Sequence, residues 1–188
     1  MFPLPQHLRR LALSAFAAAV VPAGAHAGIA LTPAQKTCIV ETGAAIAEAK
    51  RAELAAQLAY ATALAPDSKP LFDALQVVDL ASLEVQRLQL TYLTEHFPAE
   101  TPYDPAEVPV SSLQAAVDEP MLMALETDAV YTQAVAALAD ATYDADKLGG
   151  RERAGYVMAK APPNPDQQAA ALEAGNAYYA LTDKVCGP

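Results

Sequence analysis

The sequence predicts an all-α protein, an antiparallel up-down-up-down four-helix bundle that a disulfide closes between the start of helix one and the end of helix four. Three observations support this class. Long stretches without helix breakers begin at recognisable capping residues. No segment alternates apolar and polar residues with the β-branched enrichment typical of strands. The two cysteines, Cys38 and Cys186, lie near opposite ends of the chain.

The first 27 residues resemble a secretory signal. Arg9 and Arg10 precede an uncharged run over 11–21, and Ala25 and Ala27 supply the small residues of a cleavage site. The run is too short for a stable transmembrane helix. We therefore expect residues 1–27 to be cleaved and residues 28–188 to form a single helical-bundle domain. The product is expected to be soluble, in the periplasm or outside the cell, without membrane insertion.

Caps and breakers give the order of the elements. Thr32-Pro33-Ala34-Gln35 combines an N-cap hydroxyl, a proline in the first turn and a glutamine at N3, and nothing interrupts the helical pattern before Ala65-Pro66. Four prolines then mark an extended stretch over 98–109, and Gly149-Gly150 is the kind of sequence that follows a helix C-terminus. The later helical elements are predicted over Ser68 to Phe97, from Ser111 with Gln114 as a short capped piece, over Asp118 to Leu148, and from the Asn164 cap to Cys186.

The cysteines test the bundle topology. Two cysteines without any other cysteine partner are expected to form a disulfide in an oxidising compartment. With four antiparallel helices, the start of the first and the end of the last lie at the same end, so Cys38 and Cys186 become neighbours. An odd number of long helices would separate them by a helix length, far more than the roughly 6 Å between Cα atoms that a disulfide allows.

Charge gives the main functional indication. The chain has 12 Lys and Arg against 22 Asp and Glu, and the predicted signal takes two arginines and no acids with it. Residues 88–146, here called the acidic window, contain no Lys or Arg, although half of the acidic residues lie there. Such a surface favours a basic partner and disfavours nucleic acid or anionic lipid. Basic residues follow in a predicted loop after helix three, namely Lys147, Arg151, Arg153 and Lys160.

Candidate partner-binding residues lie where the acidic window crosses the proline-rich stretch and the start of helix three. A tyrosine among carboxylates is a plausible exposed contact for a protein partner. The predicted set is Glu100, Tyr103, Asp104, Glu107, Asp118 and Glu119.

No catalytic, metal or cofactor site is predicted. After cleavage the chain retains one histidine, His96, which is too few for the Glu-x-x-His pairs of di-iron bundles or for a zinc site with two cysteines. The Cys-x-x-Cys-His haem motif is absent, and no nucleophile or oxyanion donor can be assigned to His96. Asp144 and Asp146 begin a calcium-loop pattern that Leu148 and Gly155 do not continue.

The sequence therefore predicts an exported helical protein that acts by binding a partner protein with a basic face. Its expected role is that of an inhibitor, a toxin-neutralising protein or a chaperone. Two alternatives stay open. One is a secreted helical-bundle enzyme or divalent-cation-binding protein, and the other is a structural component of the envelope.

Overall fold

A computed structural model describes residues 31–96, 104–113, 119–162 and 164–187. Most residues of these ranges are helical, and none of them forms a strand. The predicted signal peptide, 1–27, lies outside them. The seven helices of the described ranges are α1 Pro33–Leu64, α2 Lys69–His96, α3 Val110–Leu113, α4 Glu119–Leu125, α5 Ala129–Lys147, α6 Gly150–Lys160 and α7 Pro165–Thr182, with a 3₁₀ turn at Pro66–Ser68 between α1 and α2.

Helix α1 begins at the predicted capping box. The Thr32 hydroxyl accepts a hydrogen bond from the Gln35 amide at 3.1 Å, and the Gln35 side chain accepts one from the Thr32 amide at 3.0 Å. These two bonds satisfy amides that a helix leaves without intrahelical partners. The helix ends at Leu64, before Ala65 and Pro66. The predicted bounds of helix one are confirmed, and those of helix two agree to within a residue at its start.

The third predicted helix is wrong as one element. Its sequence forms α4 and α5, because Asp128 adopts an extended conformation and caps α5. Asp128 Oδ1 accepts hydrogen bonds from the amides of Val130 and Tyr131 at 2.8 and 2.9 Å. This competes with continuation of α4, since aspartate favours N-caps over helix interiors. No proline or glycine marks the break in the sequence.

The predicted loop after Leu148 is also wrong. Gly149 and Gly150 have positive φ values of 99° and 56°, and α6 begins immediately after the turn. The four basic residues assigned to a loop thus lie at the end of α5 and along α6. The last predicted helix ends earlier than expected, at Thr182, so Cys186 lies beyond α7.

The long helices form an open layer. Helix α1 packs between α2 and α7, and α2 packs between α1 and α5. Neighbours are antiparallel: Cys38 bonds to Cys186 while Lys50, further along α1, lies over the ring of Tyr178. Among the helices described, α5 and α7 form no packed interface. The all-helical class and the disulfide are confirmed, whereas the helix count is not four and the packing is not that of a closed bundle.

The glycine turn between α5 and α6 gives a stability prediction. Gly149→Ala places a Cβ 2.8 Å from Cβ of Arg153 and keeps a left-handed φ, so we expect a loss of about 1–2 kcal/mol. Gly155→Ala, inside α6 with open space around its Cβ position, is the matched control and should stabilise by up to about 1 kcal/mol. Urea unfolding monitored by circular dichroism measures the stability of both variants. Equal effects of the same sign would contradict the requirement for glycine at position 149.

Candidate functional site at the disulfide end

The predicted disulfide joins α1 to the chain that follows α7. Sγ of Cys38 and Sγ of Cys186 lie 2.06 Å apart, and the two Cα atoms lie 5.8 Å apart. Cys186 is 1% exposed, whereas Cys38 is half-buried on α1. The bond closes a loop between residues 148 positions apart, so it constrains nearly all of the chain that the structure describes.

Residues 104–113, here called the docked segment, lie against the same end. Its contacts are with the chain around the end of α7. The Cys186 amide donates to the Pro105 carbonyl at 2.8 Å, and the Val110 amide donates to the Lys184 carbonyl at 3.0 Å. The Ser111 hydroxyl donates to the Thr182 carbonyl at 2.7 Å. The prediction that Ser111 caps the short helix α3 is wrong, because Ser111 lies within α3 and its hydroxyl bonds to the end of α7. Its predicted partner Gln114 lies outside the described residues.

An apolar cluster holds the docked segment against α1 and α2. Val110 and Leu113 of the docked segment reach into it, and Leu113 and Leu93 are 0% exposed. Burial of apolar surface supplies most of the free energy of such contacts, at roughly 25 cal/mol per Å². The buried members of this disulfide-end cluster are Ile39, Leu90, Leu93, Val110, Leu113 and Cys186.

The structure brings two of the predicted partner-binding acids together. Asp104 is half-buried, and its Oδ1 accepts a hydrogen bond from the Ala106 amide at 2.9 Å, while Glu107 is exposed one turn later. The amide of Glu107 donates to the Asp104 carbonyl at 2.9 Å, which holds the turn. Glu100, Tyr103 and Asp118 lie outside the described residues, and so does the side chain of Glu119.

A small cleft opens between α1, α2 and the docked segment. It encloses about 40 Å³, enough for a water molecule or one small group. Burial raises the pKa of the Tyr178 phenol at its edge above the ordinary value of a tyrosine. The lining includes Gly43, Ile46, Leu83, Leu90, Val110 and Tyr178.

A buried polar cluster that was not predicted from the sequence lies between α1 and α7. Glu53 is 5% exposed and accepts hydrogen bonds from Lys50 at 2.7 Å and from Gln57 at 2.8 Å. Lys50 Nζ also lies 4.6 Å from the centre of the Tyr178 ring. Gly175 of α7 faces this cluster, and a Cβ at that position would lie 3.6 Å from Glu53 Oε1, in ordinary van der Waals contact. The i, i+3 spacing of Lys50 and Glu53 was visible in the sequence, but that spacing is equally common on exposed faces.

The basic residues after the acidic window are largely occupied by internal partners. Arg151 pairs with Asp79 of α2 across the structure. Lys147 pairs with Asp144 at 3.0 Å, and the Arg153 guanidinium donates to the Leu148 carbonyl at 2.9 Å. These contacts fasten α6 to α5 and α2. The side chains of Lys147 and Arg151 each remain 54% exposed.

Searches over the described part of the chain add further findings. No cluster of three or more His, Cys, Asp or Glu side chains there is arranged to hold a metal ion. None of the helices described combines the length and apolar character needed to cross a bilayer. Comparison with known protein families, with curated protein sequences and with solved structures gives no match.

Proposed function

We propose that this chain is an exported helical protein that acts by binding a protein partner with a basic face. In this proposal the four long helices α1, α2, α5 and α7 form an up-down-up-down frame, and the disulfide end presents the acidic surface. The contact set comprises Glu100, Tyr103, Asp104, Glu107, Asp118 and Glu119.

The unequal use of counter-ions supports this proposal most strongly. The ion pairs found among the described residues lie mostly outside the acidic window; only Lys147 with Asp144 uses a carboxylate from it. Glu84, just before the window, shows the contrast, because the hydrogen bond from Arg87 lowers the pKa of its carboxyl. Carboxylates without internal cations keep their field available to a partner, and such a field steers a cationic protein toward the surface.

The cleft beside Tyr178 and the depression beside Gly149 do not resemble an enclosed ligand pocket, which favours binding over turnover. Ligand pockets usually enclose about 300–1,000 Å³, whereas the cleft encloses about 40 Å³ and the space of about 290 Å³ beside Gly149 and Tyr156 is an open part of the surface. A protein partner needs no such cavity, since interfaces use surface patches with exposed aromatic and charged groups. The docked segment offers a patch whose backbone is fixed by hydrogen bonds, and this reduces the ordering cost of association.

Charge neutralisation tests the proposal. The oxidised protein is used to capture a partner from envelope and medium proteins, and the affinity for that partner is then measured by calorimetry at several salt concentrations. The test variant carries Glu100→Gln, Asp104→Asn, Glu107→Gln, Asp118→Asn and Glu119→Gln. We expect its affinity to fall at least tenfold, about 1.4 kcal/mol, with a shallower salt dependence.

A control variant of equal charge change separates local from global effects. It carries Glu48→Gln, Asp67→Asn, Glu152→Gln, Asp166→Asn and Glu173→Gln, all at exposed positions outside the acidic window. Its affinity should change by less than about threefold, because exposed charges further away than a Debye length of about 10 Å are screened. Equal losses in the two variants, or turnover or self-association without any partner, would contradict the proposal.

A further inference from the structure

We propose that the Cys38–Cys186 disulfide is a reducible latch, opened by a dithiol that attacks Sγ of Cys38, and that its opening releases the docked segment together with residues 183–187. The latch does not depend on the proposed binding function. It follows from the unequal exposure of the two cysteines and from the hydrogen bonds that join the docked segment to residues 182–186.

The two cysteines differ in how far the residue as a whole is exposed. Cys186 is 1% exposed and belongs to the buried disulfide-end cluster, whereas Cys38 is half-buried at its margin. Thiol–disulfide exchange requires a thiolate to reach the sulfur it attacks, and the other sulfur then leaves. Attack is therefore directed to Cys38, and Cys186 is the leaving group.

The exchange balances in two steps. A thiolate of the dithiol bonds to Sγ of Cys38, the disulfide breaks, and Cys186 leaves as a thiolate that takes up a proton. The second thiol of the reductant then loses its proton and attacks the mixed disulfide, so Cys38 leaves and is protonated. The protein gains two electrons and two protons, and the reductant becomes a disulfide.

Reduction of the disulfide removes the covalent anchor of residues 183–187, here called the tail. Cys186 is the one buried residue of the tail, whereas Lys184, Val185 and Gly187 are exposed. A segment with so few buried contacts opens locally once its covalent link is cut.

The docked segment then loses its partners. The Pro105 carbonyl is bonded to the Cys186 amide, the Val110 amide to the Lys184 carbonyl, and the Ser111 hydroxyl to the Thr182 carbonyl at the end of α7. Two of these three bonds lead directly into the tail. When the tail frays, the docked segment opens and uncovers the apolar floor formed by Ile39, Leu90 and Leu93.

Hydrogen exchange tests the release. The oxidised protein is titrated with dithiothreitol, full reduction is verified by the mass increase, and exchange is read by NMR. We expect the amides of Val110 and Cys186 to exchange at least tenfold faster after reduction, while Leu138 in α5 keeps measurable protection. Unchanged exchange at Val110 and Cys186 would overturn the proposal. Simultaneous loss of protection in α2, α5 and the docked segment would also overturn it, because the bond would then hold the whole fold.

A trapping experiment on the oxidised protein tests the point of attack without depending on the stability of the reduced state. The probe is a thioredoxin-type protein whose resolving cysteine is replaced by serine, so that the mixed disulfide persists. Peptide mapping by mass spectrometry should find the cross-link at Cys38 in large excess over Cys186. A cross-link mainly at Cys186, or none, would contradict the proposed direction of exchange.

Discussion

Replacing both Cys38 and Cys186 with alanine is expected to lower the free energy of unfolding by about 3–5 kcal/mol. The two cysteines lie 148 positions apart, and the chain-entropy description assigns a loop of this length roughly 5 kcal/mol as an upper figure. For a chain of this size the corresponding fall in Tm is about 10 °C or more. Urea unfolding of the double variant and the oxidised protein gives the comparison.

The denaturant slope provides an internal check on this prediction. A cross-link limits how far the unfolded chain expands, so its removal should increase the m-value as more surface is exposed on unfolding. Reductant should bring the oxidised protein to the stability of the double variant and leave the double variant unaffected. A difference below about 1 kcal/mol between the two proteins would show that the loop constraint contributes little here.

Local signals in the sequence predicted the elements that local chemistry determines. The capping box at Thr32 and the proline at Pro66 bound α1 as expected, because both act within one turn of the backbone. The cysteine pairing was predictable because few alternatives exist for two cysteines. These features depend on neighbouring residues or on a count, and neither requires knowledge of the packing.

Features whose local signal is ambiguous, or that depend on packing, were not predicted. Asp128 breaks the third predicted helix, although the same residue could equally lie on the solvent face of a continuous helix. The bend at Gly149 starts α6 instead of a loop, and Arg151 then secures α6 to Asp79 on a different helix. Such tertiary contacts override local propensity. For the same reason the open α5–α7 edge was not expected, because periodicity alone does not show which apolar stripes meet.

The candidate site was predictable only in part. Composition located the acidic window, and the structure places Asp104 and Glu107 of that window on a segment docked to the disulfide. The docking itself comes from hydrogen bonds between positions about 70 or more residues apart, such as Ser111 with Thr182. Backbone carbonyls accept these bonds, and carbonyls leave no signature in a sequence.

Glu53→Ala is expected to destabilise the protein by about 3 kcal/mol or more. The Glu53 and Lys50 side chains are 7% and 15% exposed, so removal of the carboxylate leaves a poorly solvated ammonium and an unpaired Gln57 amide between α1 and α7. Breaking one partner of a buried pair typically costs about 3–5 kcal/mol. Asp73→Ala in the exposed Lys69–Asp73 pair is the control and should cost less than about 1 kcal/mol.

The double variant Lys50→Met with Glu53→Leu shows whether the ion pair stabilises the fold more than apolar side chains of similar size would. Exchanging a buried ion pair for apolar residues of similar size is often neutral or stabilising, because no charge then has to be desolvated. We therefore expect the double variant to recover most of the loss caused by Glu53→Ala, with a coupling energy of about 2 kcal/mol in the cycle completed by Lys50→Met and Glu53→Leu. Recovery would show that the charged pair is not needed to hold α1 against α7, where Glu53 Oε1 faces Gly175 of the neighbouring helix. A double variant as unstable as Glu53→Ala would instead show that the polar contacts of Lys50 with Glu53 and Tyr178 make a net contribution to stability.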